Sequence, residues 1–251
     1  MSVLTESDLH VSELARTTRT LVVSEIFGPT FQGEGASIGR VCSFLRLGGC
    51  NLHCSWCDTP YTWDWTGRNG RKFDPRVELR RISIDDAFND LESRGTDMIV
   101  ISGGEPLLQQ LALEPLVRKA RLAGWWIELE TAGTIAPTPE IASGVSRFNV
   151  SPKLANSDNS LAARCRPEAV TSLQATGKAS WKFVVRETDE LDEVQDLVDR
   201  FHLNPVYVMP EGVSASEIEK RSQDLAQSVL DRGWNLTTRL HVLVYGNRRG
   251  V

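Results

Sequence analysis

Short β-rich apolar runs alternate with helical segments along this 251-residue chain, and that alternation restricts the fold more than any other feature. The runs are Leu21–Phe27, Val41–Leu47, Met98–Ser102, Trp125–Glu130, Arg147–Val150, Ser180–Val185, Pro205–Met209 and Leu240–Tyr245. Between several of them the apolar residues fall at helical spacing. Ile84–Arg94 sets Ala87, Phe88 and Leu91 on one face, and Pro106–Leu122 does the same with Leu107, Leu111, Val117 and Leu122. Leu191–Phe201 and Ser214–Arg232 continue the series, the latter opening on a Ser214/Glu217 capping box. Strands alternating with helices imply right-handed βαβ units, so the expected fold is α/β, a full or partial (β/α) barrel with a mainly parallel sheet. The segment Thr59–Arg81, with Pro60, Gly67, Gly70 and Pro75, reads as a long irregular insertion rather than a linker.

The unusual residues come just after the strands. Cys50 follows the second run, Gly103-Gly104-Glu105-Pro106 the third, Thr131 and Gly133 the fourth, Pro152-Lys153 the fifth and Glu211-Gly212 the seventh. In barrel-like α/β folds the carboxyl ends of the strands carry the site, so one face collects all of these motifs. The formal charge of −5 gives no reason to expect nucleic-acid binding, and the pairs Arg80-Arg81 and Arg248-Arg249 read as solvated surface. No apolar stretch is long enough to span a membrane. Residues 1–18 are polar and acidic, which predicts a flexible leader rather than a targeting signal, with one domain over 19–251 and a cytoplasmic location.

Three of the five cysteines, Cys50, Cys54 and Cys57, crowd into GGCNLHCSWCDT. An odd cysteine count without a secretion signal argues for thiolate ligands over disulfides. Three thiolates are one short of a structural zinc or an ordinary ferredoxin cluster. His53, Asp58, Cys42 or Cys165 could add a fourth ligand, and a Cys₃His zinc site is one solution. His53 sits inside the loop, however, Cys42 lies on a strand where a small buried residue is expected, and Cys165 has no ligand nearby in sequence. The other solution is a [4Fe–4S] cubane with one iron open to a chelating amino acid.

The spacing C-x-x-x-C-x-x-C, with Trp56 before the last cysteine, resembles the signature of the radical S-adenosylmethionine superfamily, and the turn Ser102–Leu107 resembles its GGEP motif. The resemblance narrows further. Glu25-Ile26-Phe27 with Phe31–Gly35, Phe44–Leu52, Cys57-Asp58-Thr59, Glu130–Thr134, Ser151-Pro152-Lys153 and Tyr245–Val251 are similar to motifs of the 7-carboxy-7-deazaguanine synthase (QueE) family of queuosine and 7-deazapurine biosynthesis. This family resemblance spans about residues 21 to 251. It implies a partial (β/α) barrel of the radical SAM type and a carbon–nitrogen lyase, in which 6-carboxy-5,6,7,8-tetrahydropterin is contracted to 7-carboxy-7-deazaguanine with loss of ammonia. It also implies S-adenosylmethionine as catalytic cofactor, Mg²⁺, a flavodoxin or ferredoxin as reductant, and a homodimer.

By the same resemblance, Cys50, Cys54 and Cys57 hold the [4Fe–4S] cluster and Thr59 the magnesium. Cofactor contacts are expected from Ser55, Trp56, Gly103, Gly104, Glu105, Ser151, Pro152, Lys153 and Met209, although Val208-Met209-Pro210 departs from the Gln-Pro-Met of many relatives. Phe31, Gln32, Gly33, Glu34, Arg46, Ser102, Glu130 and Val251 are expected around the substrate. Gln32 and its backbone suit the amide-like edge of a pterin, and a strand arginine at position 46 is best explained by a substrate carboxylate. Glu34 has no evident cationic partner in sequence, and Asp58 is expected to position the cysteine loop through its carboxylate. An activase acting on a glycyl-radical enzyme is the nearest rival, and a zinc module the rival from another class.

Overall fold

The computed structural model describes residues 20–251, so the expected leader at 1–18 lies outside the described residues. The strands are β1 (Thr20–Phe31), β2 (Val41–Leu47), β3 (Arg80–Ser83), β4 (Met98–Gly103), β5 (Trp126–Thr131), β6 (Arg147–Val150), β7 (Ala179–Val185), β8 (Val206–Pro210) and β9 (Asn235–Leu236). The helices are α1 (Pro75–Glu78), α2 (Ile84–Ser93), α3 (Gln110–Leu122), α4 (Pro139–Gly144), α5 (Leu161–Arg164), α6 (Pro167–Ala175), α7 (Glu190–Phe201), α8 (Ala215–Asp231) and α9 (Leu240–Tyr245). One sheet runs β3-β1-β2-β4-β5-β6-β7-β8-β9. Pairing is parallel from β2 through β9 and antiparallel where β1 meets β2 and β3. The order is linear, with β3 and β9 at the edges, so the barrel is open, as expected of a partial (β/α) barrel. No helix among the described residues is long and apolar enough to cross a membrane.

Side chains alternate sides along a strand, and here the alternation separates two environments. Leu45 and Leu47, Ile99 and Ile101, Ile127 and Leu129, Phe148 and Val150, and Trp181 and Phe183 pack with Ala87, Leu116, Val117, Leu173 and Val194 of the covering helices. The intervening residues face the inside of the barrel. Near the start of the strands they form a small apolar plug of Phe27, Cys42, Phe44, Met98 and Val100, with Phe27 and Phe44 stacked at 5.0 Å. Farther along they turn polar, as Ser102, Glu130, Asn149 and Lys182. Beside them Glu128, wholly buried, accepts from Asn149 Nδ2 at 2.7 Å, Ser37 Oγ at 2.5 Å and Trp126 Nε1 at 3.1 Å.

Several local expectations need correction. Leu240–Tyr245 is a helix, not a strand: β9 already covers the free edge of β8, so this apolar run satisfies its backbone internally. The segment Thr59–Arg81 is irregular only in part, because it ends in α1 and in β3, which pairs with the start of β1. In the helix after Gly103-Gly104, Leu111 and Leu122 face solvent while Leu113, Leu116 and Val117 are buried. At about 100° per residue Leu111 and Leu122 lie on one side of this helix and Val117 on the other, so the buried stripe is Leu113, Leu116, Val117 and Ala120, and Leu107 belongs to a separate 3₁₀ turn at Pro106–Gln109. Helices α4, α5 and α6 were not foreseen. The Ser214/Glu217 capping box at the start of α8 is present.

Candidate active site

One cavity of about 530 Å³ opens at the carboxyl ends of the strands, and Cys50, Cys54 and Cys57 line it. The loop carrying them packs on Ala132 and Ala163 through Leu52 and Cys54. Each sulfur faces an N–H donor: Leu52 N donates to Cys50 Sγ at 3.4 Å, Asn159 Nδ2 to Cys54 Sγ at 3.4 Å, and Trp63 Nε1 to Cys57 Sγ at 3.3 Å. Burial pushes the Cys57 thiol up to about 11 and the Cys50 thiol well above its ordinary value, and it raises that of Cys54. Thiolates here therefore need a positive partner at neutral pH. Among the described residues no three His, Cys, Asp or Glu side chains converge on a point where they could hold one metal ion.

The Gly103-Gly104 turn lies directly behind this loop. A Cβ on Gly104 would sit 2.0 Å from the carbonyl oxygen of Gly49, and one on Gly103 2.3 Å from that of Leu47. Glycine is thus required for the turn to pack on the backbone entering Cys50. Glu105 N donates to Gly49 O at 2.8 Å, joining the two segments. The Glu105 side chain does not line the cavity. Its buried carboxylate accepts from Leu107 N, Thr131 Oγ1 and Ala132 N and braces the turn from behind, and burial raises its pKa. Ser55, exposed, and Pro152 also lie outside the cavity lining, whereas Trp56, Gly103, Gly104, Ser151, Lys153 and Met209 belong to it. Trp56 Nε1 donates to Asn156 O at 3.0 Å, and the Lys153 ammonium sits 5.5 Å from the indole ring centre.

A charged wall faces the same cavity. Glu34, expected to lack a cation, pairs with Lys182 on β7 and with Arg239, which lies 3.2 Å away. Arg239 also pairs with Asp58, so the carboxylate beside the last cysteine is held from the far end of the chain. Burial opposes charge on Glu34, but Lys182, Arg239 and His241 hold its carboxyl far below the usual range. Burial, reinforced by Arg239, keeps the His241 imidazole below its ordinary value despite Glu34. Gly33 is glycine because a Cβ there would lie 2.1 Å from His241 Nδ1. Gln32, expected to read a ligand edge with its amide, is tied up locally: its Nε2 donates to Glu130 at 3.2 Å and its Oε1 accepts from Glu34 N at 3.2 Å. Ser102 Oγ donates to the other Glu130 oxygen at 2.8 Å.

Arg46 reaches the cavity from β2, its Nε bonded to Glu25 at 3.0 Å and its guanidinium 5.6 Å from the Phe27 ring centre. Its terminal nitrogens donate to no acceptor among the described residues. Glu25 also accepts from Tyr61 Oη at 3.1 Å and pairs with Arg249, whose guanidinium stacks 3.8 Å from the Tyr61 ring centre and bonds Glu78 at 2.6 Å. Arg249 is thus an anchor for the segment Asn247–Val251, which lines the cavity, and not the solvated charge that its sequence suggests. Phe31 and Thr59 line the cavity too, with Thr59 Oγ1 3.7 Å from Cys57 Sγ.

The chain matches the family model of the Radical SAM superfamily over residues 45–195. It is 35% identical over 231 residues to the 7-carboxy-7-deazaguanine synthase of Pyrobaculum aerophilum, a match covering 91% of this chain and 96% of that protein. The chain belongs to the 7-carboxy-7-deazaguanine synthase family of radical SAM enzymes. A second member, from Rhodopirellula baltica, is 30% identical over 260 residues, covering 98% of this chain and 93% of its own. The crystal structure of QueE from Escherichia coli shares the fold, with a TM-score of 0.68 at 22% identity over 94% of this chain and 100% of that chain.

Radical SAM family membership implies a [4Fe–4S] cluster and S-adenosylmethionine, and the cysteine loop fits the cluster: three thiols on one cavity wall, each facing an N–H donor. For a 7-carboxy-7-deazaguanine synthase family member, the residues missed in sequence are Lys182, Arg239 and His241, all cavity-lining. A signal for Lys182 was available. Ser180-Trp181-Lys182-Phe183 alternates polar and apolar in a strand flanked by parallel neighbours, where both faces are normally apolar. Arg239 and His241 gave no such signal, since one precedes and the other lies second in a run, Leu240–Tyr245, that reads as a strand.

Proposed function

We propose that the chain, working as one domain over 19–251, converts 6-carboxy-5,6,7,8-tetrahydropterin to 7-carboxy-7-deazaguanine with loss of ammonia. The observation that carries this reading is the meeting in one cavity of the three cysteines with Arg46, Glu34 and Thr59. When bound, the cluster on Cys50, Cys54 and Cys57 and S-adenosylmethionine supply one-electron radical chemistry. The chain's own residues orient the substrate and exclude water. Arg46, steadied by Glu25 and with terminal nitrogens unpaired among the described residues, pairs with the pterin carboxylate as a charge-assisted fork. Thr59 holds Mg²⁺ next to that carboxylate, consistent with the few protein ligands magnesium usually takes. Glu34, kept anionic by Lys182 and Arg239, accepts N–H bonds from the guanidine-like edge of the ring. Trp56, Gly104, Ser151, Lys153 and Met209 form the cofactor side. A flavodoxin or ferredoxin is the reductant, and the working form is a homodimer.

The decisive experiment is anaerobic reconstitution with iron and sulfide, followed by reduction with S-adenosylmethionine and the pterin and mass analysis of products. The expected result is 7-carboxy-7-deazaguanine with little net loss of S-adenosylmethionine. Arg46→Ala should retain cofactor cleavage while losing at least about a hundredfold in pterin turnover, the scale of a lost orienting contact. A cluster that cleaves the cofactor but makes no deazapurine would transfer the chain to the activases, and tightly held zinc with no cluster would end the radical reading.

A further inference from the structure

Two of the N–H groups aimed at the cysteine sulfurs come from side chains outside the cysteine motif. Trp63 follows Cys57 in the insertion, and Asn159 lies in the loop between β6 and α5. Both are oriented by other contacts, so neither bond is incidental. Asn159 Oδ1 accepts from His53 N at 3.0 Å, which leaves the amide nitrogen, not the oxygen, to face Cys54 Sγ. That nitrogen also contacts Ser157 O at 3.2 Å, an acceptor that only the amino end can satisfy. The indole nitrogen of Trp63 can only donate. Its ring is buried, and His53 packs edge-on against it at 5.0 Å with planes 77° apart, which fixes the direction of the N–H. One residue, His53, thus steadies both donors, the first through its backbone and the second through its ring.

An N–H pointed at a thiolate sulfur stabilises negative charge there. Charge on the ligating sulfurs is larger in the reduced cluster than in the oxidised one, so such bonds raise the reduction potential. We infer that Trp63 and Asn159 are positioning residues that set the reduction potential of a cluster held by Cys50, Cys54 and Cys57, through directed N–H···S bonds to Cys57 and Cys54. The third N–H bond, from Leu52 N, is a backbone bond local to the motif, so Trp63 and Asn159 are the side-chain N–H donors that substitution can remove, beside the Thr59 hydroxyl 3.7 Å from Cys57 Sγ. This rests on the cluster half of the proposed function and is independent of the substrate.

The test is a redox titration of the anaerobically reconstituted full chain, followed by electron paramagnetic resonance without substrate. Trp63→Phe keeps the ring and removes the N–H; Asn159→Ala removes the other donor. Each loaded variant should show about a tenfold lower ratio of reduced to oxidised cluster at fixed potential, a fall of about 59 mV for one electron, and the double variant should fall further. Unchanged midpoints in fully loaded variants would overturn the inference. Should Trp63→Phe fold or load poorly, Asn159→Ala, at a half-buried loop position, decides alone, with circular dichroism confirming its fold. A wild-type chain that binds no iron–sulfur cluster overturns the functional reading itself, a different result from a loaded cluster with unmoved potential.

Discussion

The two faces of the same parallel strands are built on opposite rules. The helix-covered face of β4 to β7 is Ile, Leu, Phe, Val and Trp almost without interruption, and α2, α3, α6 and α7 close over it. The cavity face of the same strands carries Ser102, Glu128, Glu130, Asn149 and Lys182, four of them under a tenth exposed. Burying such groups costs stability unless each is paired, and here they are paired with residues far away in sequence: Gln32 with Glu130, Ser37 with Glu128, Glu34 with Lys182. A strand that gives up half of its apolar burial in this way marks a site and not a scaffold. The helix face supplies the stability that lets the cavity face remain polar.

Exchanging one residue on each face of β7 tests that division. Phe183→Ala on the helix face should cost about 3–5 kcal/mol, the range for a large buried aromatic, read by urea denaturation. A loss below about 1 kcal/mol would mean that the core does not depend on it. Lys182→Met, its neighbour on the cavity face, should cost no more than about 1–2 kcal/mol, because Arg239 remains to pair with Glu34. Its pterin turnover should nonetheless fall about a hundredfold through a misplaced Glu34. If instead Lys182→Met unfolds the protein while its residual activity stays normal, the polar face is structural and the comparison fails.

The smallest effect concerns acid. Glu34 has its folded pKa depressed, so the stability it contributes is fully present above its unfolded pKa, near 4.3–4.5, and is lost as pH falls through the depressed folded value. Wild-type stability should therefore decline faster below about pH 4.5 than that of Glu34→Gln, and the gap between the two should narrow toward pH 2. Parallel curves in chemical denaturation at stepped pH would show that Lys182 and Arg239 do not hold that carboxylate in the folded state.

Most of the scaffold was legible. The β-runs, the four helices assigned to periodicity and the capping box at Ser214 match the structure to within a residue or two at most ends, because a strand or amphipathic helix is encoded by neighbours. The failures share one cause. Leu240–Tyr245 has an apolar composition that suits a strand, yet the edge of β8 is already taken by β9 and the segment closes its backbone bonds as a helix. Leu111 and Leu122 share one side of their helix, but the side that packs is the one carrying Leu113, Leu116 and Val117, a choice made by the sheet beneath it.

The site divides in the same way. Cys50, Cys54, Cys57 and the Gly103-Gly104 turn are local motifs, and the sequence by itself determined their place after strands, on one cavity. It also determined the family through motifs spread over most of the chain. Only the tertiary structure decided that Glu34 is clamped by Lys182 and Arg239, that Arg239 also holds Asp58, that Glu105 turns inward, and that Trp63 and Asn159 point N–H groups at the sulfurs of Cys57 and Cys54. The longest of these contacts join residues 148, 205 and 181 positions apart. Electrostatic pairing across such separations depends on which strand ends share a cavity, and that is set by the order of the sheet rather than by any stretch of neighbouring residues.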